Sequence, residues 1–335
     1  MAPAMKPIAG QTQRNRIVIF ALALLFACVA SSTWSQDGAR IVFGAYAGGG
    51  DPNIYITTPD GALFEQLTDG GGHDSFPAWS NDGRTIAFPS VRGDDKVDWL
   101  ARIYLMDADG GNLRPVTEGP DDWGVTFSPR DDAIAYGKWG DDDVGVYVTD
   151  LGTDRHTRIT DRGTAAMDPS WRPVGDTIVY TSDRAGSYDL HTMAHDGAHQ
   201  EALTDRRGAD GGASWHPRAN VIAFVSYGEG GANGNVHTMR ADGSDERQLT
   251  EHPASDNWPR WSPDGTQILF SSRRDGANAL FIMDLDGAIV RKVTDERFTV
   301  QGADWFDPDA PRSVSPLGRY PTTWGWLRRL AAPVP

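Results

Sequence analysis

The sequence predicts an all-β fold, a six-bladed β-propeller of four-stranded blades, and three observations carry that expectation. An aromatic-led motif recurs along the chain at nearly constant spacing. Two further motifs track it from copy to copy. Gly (38) and Trp (12) are plentiful among the 335 residues, which suits many short strands, tight turns and large aromatic fillers.

The aromatic-led motif reads "WSNDGRTIAF" at Trp79, "FSPRDDAIAY" at Phe127, "WRPVGDTIVY" at Trp171, "WHPRANVIAF" at Trp215 and "WSPDGTQILF" at Trp261, with a truncated "WFDP" at Trp305. By subtraction the spacings are 48, 44, 44, 46 and 44 residues. The second motif is an apolar run ending in a turn: "IYITTPDG" at Ile54, "IYLMDADG" at Ile103, "VYVTDLGT" at Val146, "LHTMAHDG" at Leu190, "VHTMRADG" at Val236 and "LFIMDLDG" at Leu280. The third closes each unit with Thr-Asp or Thr-Glu: "QLTD", "PVTE", "RITD", "ALTD", "QLTE" and "KVTD". Each unit thus holds an inner strand with the aromatic anchor, a second strand of "IAF" type, a third of "IYLM" type and an outer strand. Asp-Gly pairs between such runs are hairpin turns, because Gly accepts positive φ without strain. A four-strand unit repeating every 40 to 50 residues is a propeller blade.

The first copy begins at "RIVFG", Arg40 to Gly44, with no anchor strand before it. The missing strand stands at the other end, at Ala303 to Phe306. The C-terminal strand is therefore expected to complete the first blade and close the ring, which leaves no open junction. The domain boundaries follow: 1–36 a signal peptide or N-terminal anchor, 37–308 the propeller, 309–335 a C-terminal tail.

The N-terminal reading rests on Lys6, Arg14 and Arg16 before the apolar run Ile17 to Ala30, with small residues after it. That is the pattern of a basic region, an apolar region too short for a comfortable membrane span and a cleavage zone. Cys28 is the only cysteine. Its setting, "LFAC", loosely resembles a lipoprotein box, so lipid anchoring at Cys28 stands beside cleavage as an alternative. The expected location is periplasmic or secreted, with membrane contact only through this N-terminal segment. The tail carries Arg312, Arg319, Arg328, Arg329, Trp324 and Trp326.

The repeat resembles the TolB-like β-propeller family, whose signature is close to P-x-W-S-P-D-G-x-x-I-x-F-x-S; the stretch that starts at Pro259 follows it almost throughout. The resemblance covers about Arg40 to Pro308. It implies an extracytoplasmic binding scaffold, since the same blade serves periplasmic and secreted proteins and the non-catalytic domain of prolyl-oligopeptidase-like enzymes. Against that family pattern, the sequence is expected to lack the small α/β domain that precedes the TolB propeller and the hydrolase domain that follows the propeller of prolyl-oligopeptidase-like enzymes.

A formal net charge of −15 argues against a nucleic-acid partner, which requires clustered Lys and Arg. The loops between second and third strands are long and dissimilar, and share one face with those leading into the inner strands. Loops of varied length on a rigid scaffold are where binding sits. Five residues before the anchor stand Asp74, Asp122, Asp210 and Asp256; Asp168 lies three before Trp171. His73, Trp123, Asn257 and Trp258 flank them. This channel mouth is the candidate ligand site. Convergent carboxylates can hold a hard cation or a basic peptide end. Alternatively each caps its own loop or pairs with an Arg such as Arg92, Arg184 or Arg273, and recurrence in several blades favours that structural role.

No cofactor is implied. A divalent cation such as calcium has no specific motif behind it: "DADGGNLRPVTE" at Asp107 has Asn112 where a calcium loop needs Gly. His191 and His237 occupy a strand position held elsewhere by Tyr or Phe and are expected to be half-buried. No nucleophile elbow or metal-ligand spacing is present, so no catalytic residue is named. The expected function is a non-catalytic binding module, a monomer that holds a protein or peptide of the cell envelope at the acidic mouth. The alternative is a propeller enzyme, a hydrolase or lyase, acting on a glycan or peptide in the same funnel.

Overall fold

A computed structural model describes residues 38–92, 100–140, 144–228, 231 and 233–310. The N-terminal segment with Cys28 and most of the tail lie outside these residues. Among the described residues there are strands and turns but no helix, and the strands form six antiparallel sheets.

Five sheets take their strands from consecutive stretches of chain, and the remaining one joins the two ends of the propeller. In blade 1 the strand Phe298–Phe306 pairs with Arg40–Ala47, with Arg40 opposite Phe306 and Phe43 opposite Ala303. The expected closure by the C-terminal strand is therefore the one observed. Blades 2 to 6 follow in chain order, with inner strands that end at Trp79, Phe127, Trp171, Trp215 and Trp261.

The motifs have separate structural duties. The closing Thr of each unit reaches back to the third strand of its own blade. Thr68, Thr117, Thr160, Thr204, Thr250 and Thr294 accept, through Oγ1, the backbone N–H of Ile54, Ile103, Val146, Leu190, Val236 and Leu280 at 2.9–3.0 Å. A neutral hydrogen bond contributes about 1 kcal/mol net, but leaving such a buried N–H unpaired costs more, so each blade keeps the Thr. The Ser of "WSPDG" receives the backbone N–H across its turn, as in Ser262 with Gln267 at 2.9 Å. In blade 5, His216 replaces it and accepts from Arg218 and Ala219 through Nδ1.

The core lies between blades. Ile41, Phe43, Phe298 and Val300 of blade 1 pack with Leu280, Ile282 and Val293 of blade 6. Val125, Phe127 and Ile134 of blade 3 pack with Ala87, Ile103 and Leu105 of blade 2. A single sheet buries neither face, so apolar surface reaches its full value only when the ring is complete.

An aromatic pair also marks each blade. The second and third strands set Phe43 opposite Tyr55, Phe88 opposite Tyr104, Tyr136 opposite Tyr147, Tyr180 opposite His191, Phe224 opposite His237 and Phe270 opposite Phe281. His191 is fully buried and His237 half-buried in these pairs. Burial pushes both imidazoles below their ordinary range, which keeps them neutral members of the pair. The calcium-loop look-alike at Asp107 is a hairpin turn: Gly110 N–H donates to the Asp107 carbonyl, and Asn112 takes positive φ.

Candidate functional site

The inner strands enter the ring at the face that carries the long loops. The Trp139 N–H donates to the Asp121 carbonyl at 2.8 Å, and the Tyr227 N–H to that of Ala209 at 2.8 Å. These bonds tie the two loop sets together at that face.

Five places before the anchor, the acids sit behind the channel wall. Asp74, Asp122, Asp210 and Asp256 are all buried, at 0–1% exposure. Each faces a cation that lies over aromatic rings of the same blade. Arg92 Nη2 donates to both oxygens of Asp74 at 2.6 Å, with its guanidinium 5.0 Å from the Tyr104 ring centroid. Arg274 Nη2 does the same for Asp256 at 2.9 Å, over Phe270 and Phe281. Arg206 Nε stands 3.1 Å from Asp210, and Lys138 Nζ 3.8 Å from Asp122. In the looser blade 3 clasp, burial outweighs Thr117 and Lys138 and pushes the Asp122 carboxyl up to about 6. Burial likewise raises that of Asp210. Arg92 is a partner the sequence reading named. Arg184 instead pairs with Asp161, and the partner of Asp256 is Arg274 rather than Arg273.

Two residues further along, the same strands line the channel. Three places before the anchor stand Phe76, Gly124, Asp168, Gly212, Trp258 and Gly302, and every one has positive φ, between 45° and 74°. The pairing register shifts there, between Met167 and Ser170, Gly211 and Ser214, and Asn257 and Arg260. A bulge thus interrupts the inner strand and turns this position inward. Side chains and glycines alternate around the ring. A Cβ on Gly302 would stand 2.5 Å from Phe76 Cδ1, one on Gly124 3.1 Å from Asp168 Oδ1, and one on Gly212 3.2 Å from the Trp258 ring. Each glycine makes room for the side chain of the following blade. The left-handed region costs a non-glycine residue about 1–2 kcal/mol, and a bulky residue there is an outlier. Phe76 and Trp258 both occupy it.

The result is a waist. Phe76, Trp123, Trp139 and Trp258, with Asp121, Asp168 and Arg260, line a cavity of about 310 Å³. Phe76 and Trp258 meet edge to face at 5.1 Å. Asp121 accepts the Trp123 indole N–H. One place before the anchor, a second layer holds Ala78, Thr126, Ser170, Ser214, Arg260 and Asp304 around a wider cavity of about 440 Å³ toward the opposite face. Arg260 borders both cavities. Its guanidinium makes no ion pair within 4 Å among the described residues and donates only to the Pro259 carbonyl at 3.0 Å. Asp304 is occupied, taking the backbone N–H groups of Trp79 and Trp305 at 2.8 and 2.9 Å. Burial raises the carboxyls of both Asp304 and Asp168, that of Asp168 to about 6, with Arg260 pulling the other way.

The predicted residues therefore separate into groups. Asp168, Trp123 and Trp258 line the waist. His73 lies beside Trp123, with ring centroids 6.4 Å apart, and its Nε2 is 3.3 Å from Gln301 Oε1. Asn257 accepts the Tyr227 hydroxyl at 2.8 Å. Asp74, Asp122, Asp210 and Asp256 are kept out of the cavity by their own clasps. Sequence reasoning missed Phe76, Asp121, Trp139, Arg260 and Asp304. Alignment of the copies on the column three before the anchor exposes Phe76 among glycines, and the column one before exposes Arg260 and Asp304 among small residues. Among the described residues no group of three or more His, Asp or Glu side chains is arranged to hold a metal ion.

The comparisons with known proteins agree with the architecture. The TolB beta propeller domain model matches residues 101–233 and 206–309. An uncharacterized protein of Agrobacterium fabrum is 28% identical over 134 residues, 40% of this chain and 46% of that protein. The Tol-Pal system protein TolB of Francisella tularensis is 25% identical over 202 residues, 59% of this chain and 45% of its own length. The chain thus spans less than half of these curated relatives. Among solved structures, TolB from Acinetobacter baumannii superposes with a TM-score of 0.69 at 23% identity, over 80% of this chain and 66% of that one. An oligogalacturonate lyase in complex with manganese superposes at 0.50 and 16% identity, over 77% of this chain and 74% of that one. At these identities the structures speak for the fold.

Proposed function

The chain belongs to the TolB β-propeller domain family, and from that premise we propose that it is a non-catalytic binding module of the cell envelope, which holds a protein or peptide at the long-loop mouth of its channel. The reading includes export by the N-terminal segment, with cleavage or lipid anchoring at Cys28 as the two ways of completing it.

One observation carries the proposal: strained aromatic side chains project into an open cavity on a rigid ring. Backbone strain at a cavity wall is retained where the site uses it, and large aromatics are the usual anchors of a bound chain. Trp123, Asp168 and Trp258 form the contact set, with His73 and Asn257 at its edge. Asp74, Asp122, Asp210 and Asp256 support the wall behind them. The test is affinity capture from an envelope extract with the full chain, beside Trp258→Gly. A protein retained by the first and lost by the second supports the reading; equal retention moves the site elsewhere.

The alternative enzyme reading draws on Asp168 and Arg260, a carboxylate with a raised pKa and a guanidinium without an ion pair in one channel, since a perturbed carboxylate in a cleft is a candidate general base, and on the fold likeness to an oligogalacturonate lyase. Incubation with oligogalacturonate, with unsaturated product followed by absorbance, tests it. Turnover that Asp168→Asn abolishes would replace the binding reading.

A further inference from the structure

We propose that the waist is a receptor for one cationic side chain, an arginine or lysine of the bound peptide, which enters between Phe76, Trp123 and Trp258 and meets the Asp168 carboxylate. The inference rests on the peptide-binding reading above and specifies what that site selects.

Four aromatic rings in a cavity of about 310 Å³ give an occupant ring faces on several sides. Ring faces attract cations, most of all a planar guanidinium, which can stack and donate at once. They attract neutral apolar groups too, so the charges decide. Asp168 contributes a carboxylate that no hydrogen bond or ion pair among the described residues occupies. Asp121 adds a second carboxylate at the rim, facing Trp123. Arg260 is the opposing charge, but it lies one layer deeper and feels both Asp168 and Asp304. At pH 7.5 the Asp168 carboxylate is ionised and offsets the one guanidinium, and Asp121 at the rim leaves the mouth of the waist with a net negative charge. An anion entering from the long-loop face would have to pass Asp121 and Asp168 to reach Arg260. An entering cation meets them first.

The ring's alternation fixes the geometry. Gly302, Gly124 and Gly212 let Phe76, Asp168 and Trp258 lie against the neighbouring blade, so the carboxylate and the two rings come from three non-adjacent blades. Three such walls can surround a single inserted side chain. Family membership does not require this arrangement, since glycine at all six positions would satisfy the same backbone.

The test uses the full chain and two uncharged-backbone probes, N-acetyl-arginine methylamide and its citrulline counterpart, by titration calorimetry at pH 7.5. Small probes are expected to bind weakly, with a Kd near ~1 mM. The arginine probe should bind about tenfold more tightly than the citrulline probe, and Asp168→Asn should remove that preference, as loss of a charge-assisted contact predicts. Asn accepts the left-handed backbone as readily as Asp, so this variant is expected to fold, which circular dichroism verifies. Equal affinity for the two probes, a preference that survives Asp168→Asn, or no heat with the arginine probe would each overturn the inference. Capture of a protein partner in the preceding experiment would still stand in those cases, so the two readings fail separately.

Discussion

Two rings of residues lie two positions apart on the same inner strands, and they have opposite characters. The outer ring holds Asp74, Asp122, Asp210 and Asp256, all buried and each answered by a cation of its own blade. The inner ring holds Phe76, Gly124, Asp168, Gly212, Trp258 and Gly302, which share one backbone conformation and little else. Where four blades agree on a side chain, the residue does one job in each: it holds a strand start against the second strand. Where they agree on a backbone shape but differ in side chain, the difference has another origin. In a repeat protein the exception to the column is the better guide to a site than the column itself.

The largest effect that could break this comparison is expected at Asp256→Ala. It would leave the Arg274 guanidinium, 15% exposed, over two aromatic rings without its bidentate partner. Loss of one member of a buried pair costs about 3 kcal/mol. Urea unfolding should register that loss, while affinity of the folded fraction for a channel ligand stays unchanged. A variant with wild-type stability and lost binding would transfer the outer ring from scaffold to site.

Much of this division can be traced to particular residues. The blades were legible because Trp261, Ile268, Leu280 and Thr294 each have a packing or hydrogen-bonding duty that recurs, and recurrence is visible in one sequence. Ring closure was legible because the unpaired "WFDP" at Trp305 answered the missing strand before Arg40. The waist was only partly legible. Trp123, Asp168 and Trp258 stood out as unusual residues near the mouth, but Phe76 was hidden beside Pro77 and Trp139 by its loop. The bulge that turns Phe76 inward is a backbone event, and no residue type announces it when Phe, Asp, Trp and Gly all occupy it. That a loop Arg such as Arg92 could answer one of the acids was legible, but its match to Asp74 comes from the strand pairing, which sets Asp74 opposite Ser90 and Gly72 opposite Arg92. The choice of Arg274 over Arg273 depends on which neighbour the strand end turns inward, which sequence adjacency leaves open.

A smaller effect sharpens the contrast within the outer ring. Asp122 faces Lys138 at 3.8 Å, where Asp74 and Asp256 have bidentate arginines. Its carboxyl is pushed up to about 6 in the fold from an ordinary value of 3.8. The folded state therefore holds a proton that the unfolded chain releases. The contribution of Asp122 to stability is fully present below about 4 and is lost as pH rises through 6. Asp122→Asn should raise stability at pH 7.5, on the order of 1 kcal/mol, and the gain should shrink by pH 5. Thermal unfolding at the two pH values measures this. An Asp122→Asn loss at pH 7.5 would mean that Lys138 holds the acid as firmly as the arginines hold theirs.

The most informative comparison of stability with binding is expected at Phe76→Gly. The change removes an edge-to-face contact with Trp258 at 5.1 Å, the kind of pair that contributes about 1 kcal/mol beyond its area. It also releases a phenylalanine from φ of 45°, where a side chain costs a similar amount. The two terms oppose each other, but the apolar area of the half-buried ring is lost as well, so the unfolding midpoint should fall by less than truncation of a fully buried phenylalanine would cause. Gly302 would lose the Phe76 ring as a neighbour and keep the backbone of that residue, whose Cα lies 2.8 Å from where a Cβ on Gly302 would stand. Binding of the arginine probe should fall severalfold all the same, because one aromatic wall of the waist is gone. A large drop in stability would show Phe76 to be a structural wedge between blades 1 and 2, and the inner ring would then join the outer one as scaffold.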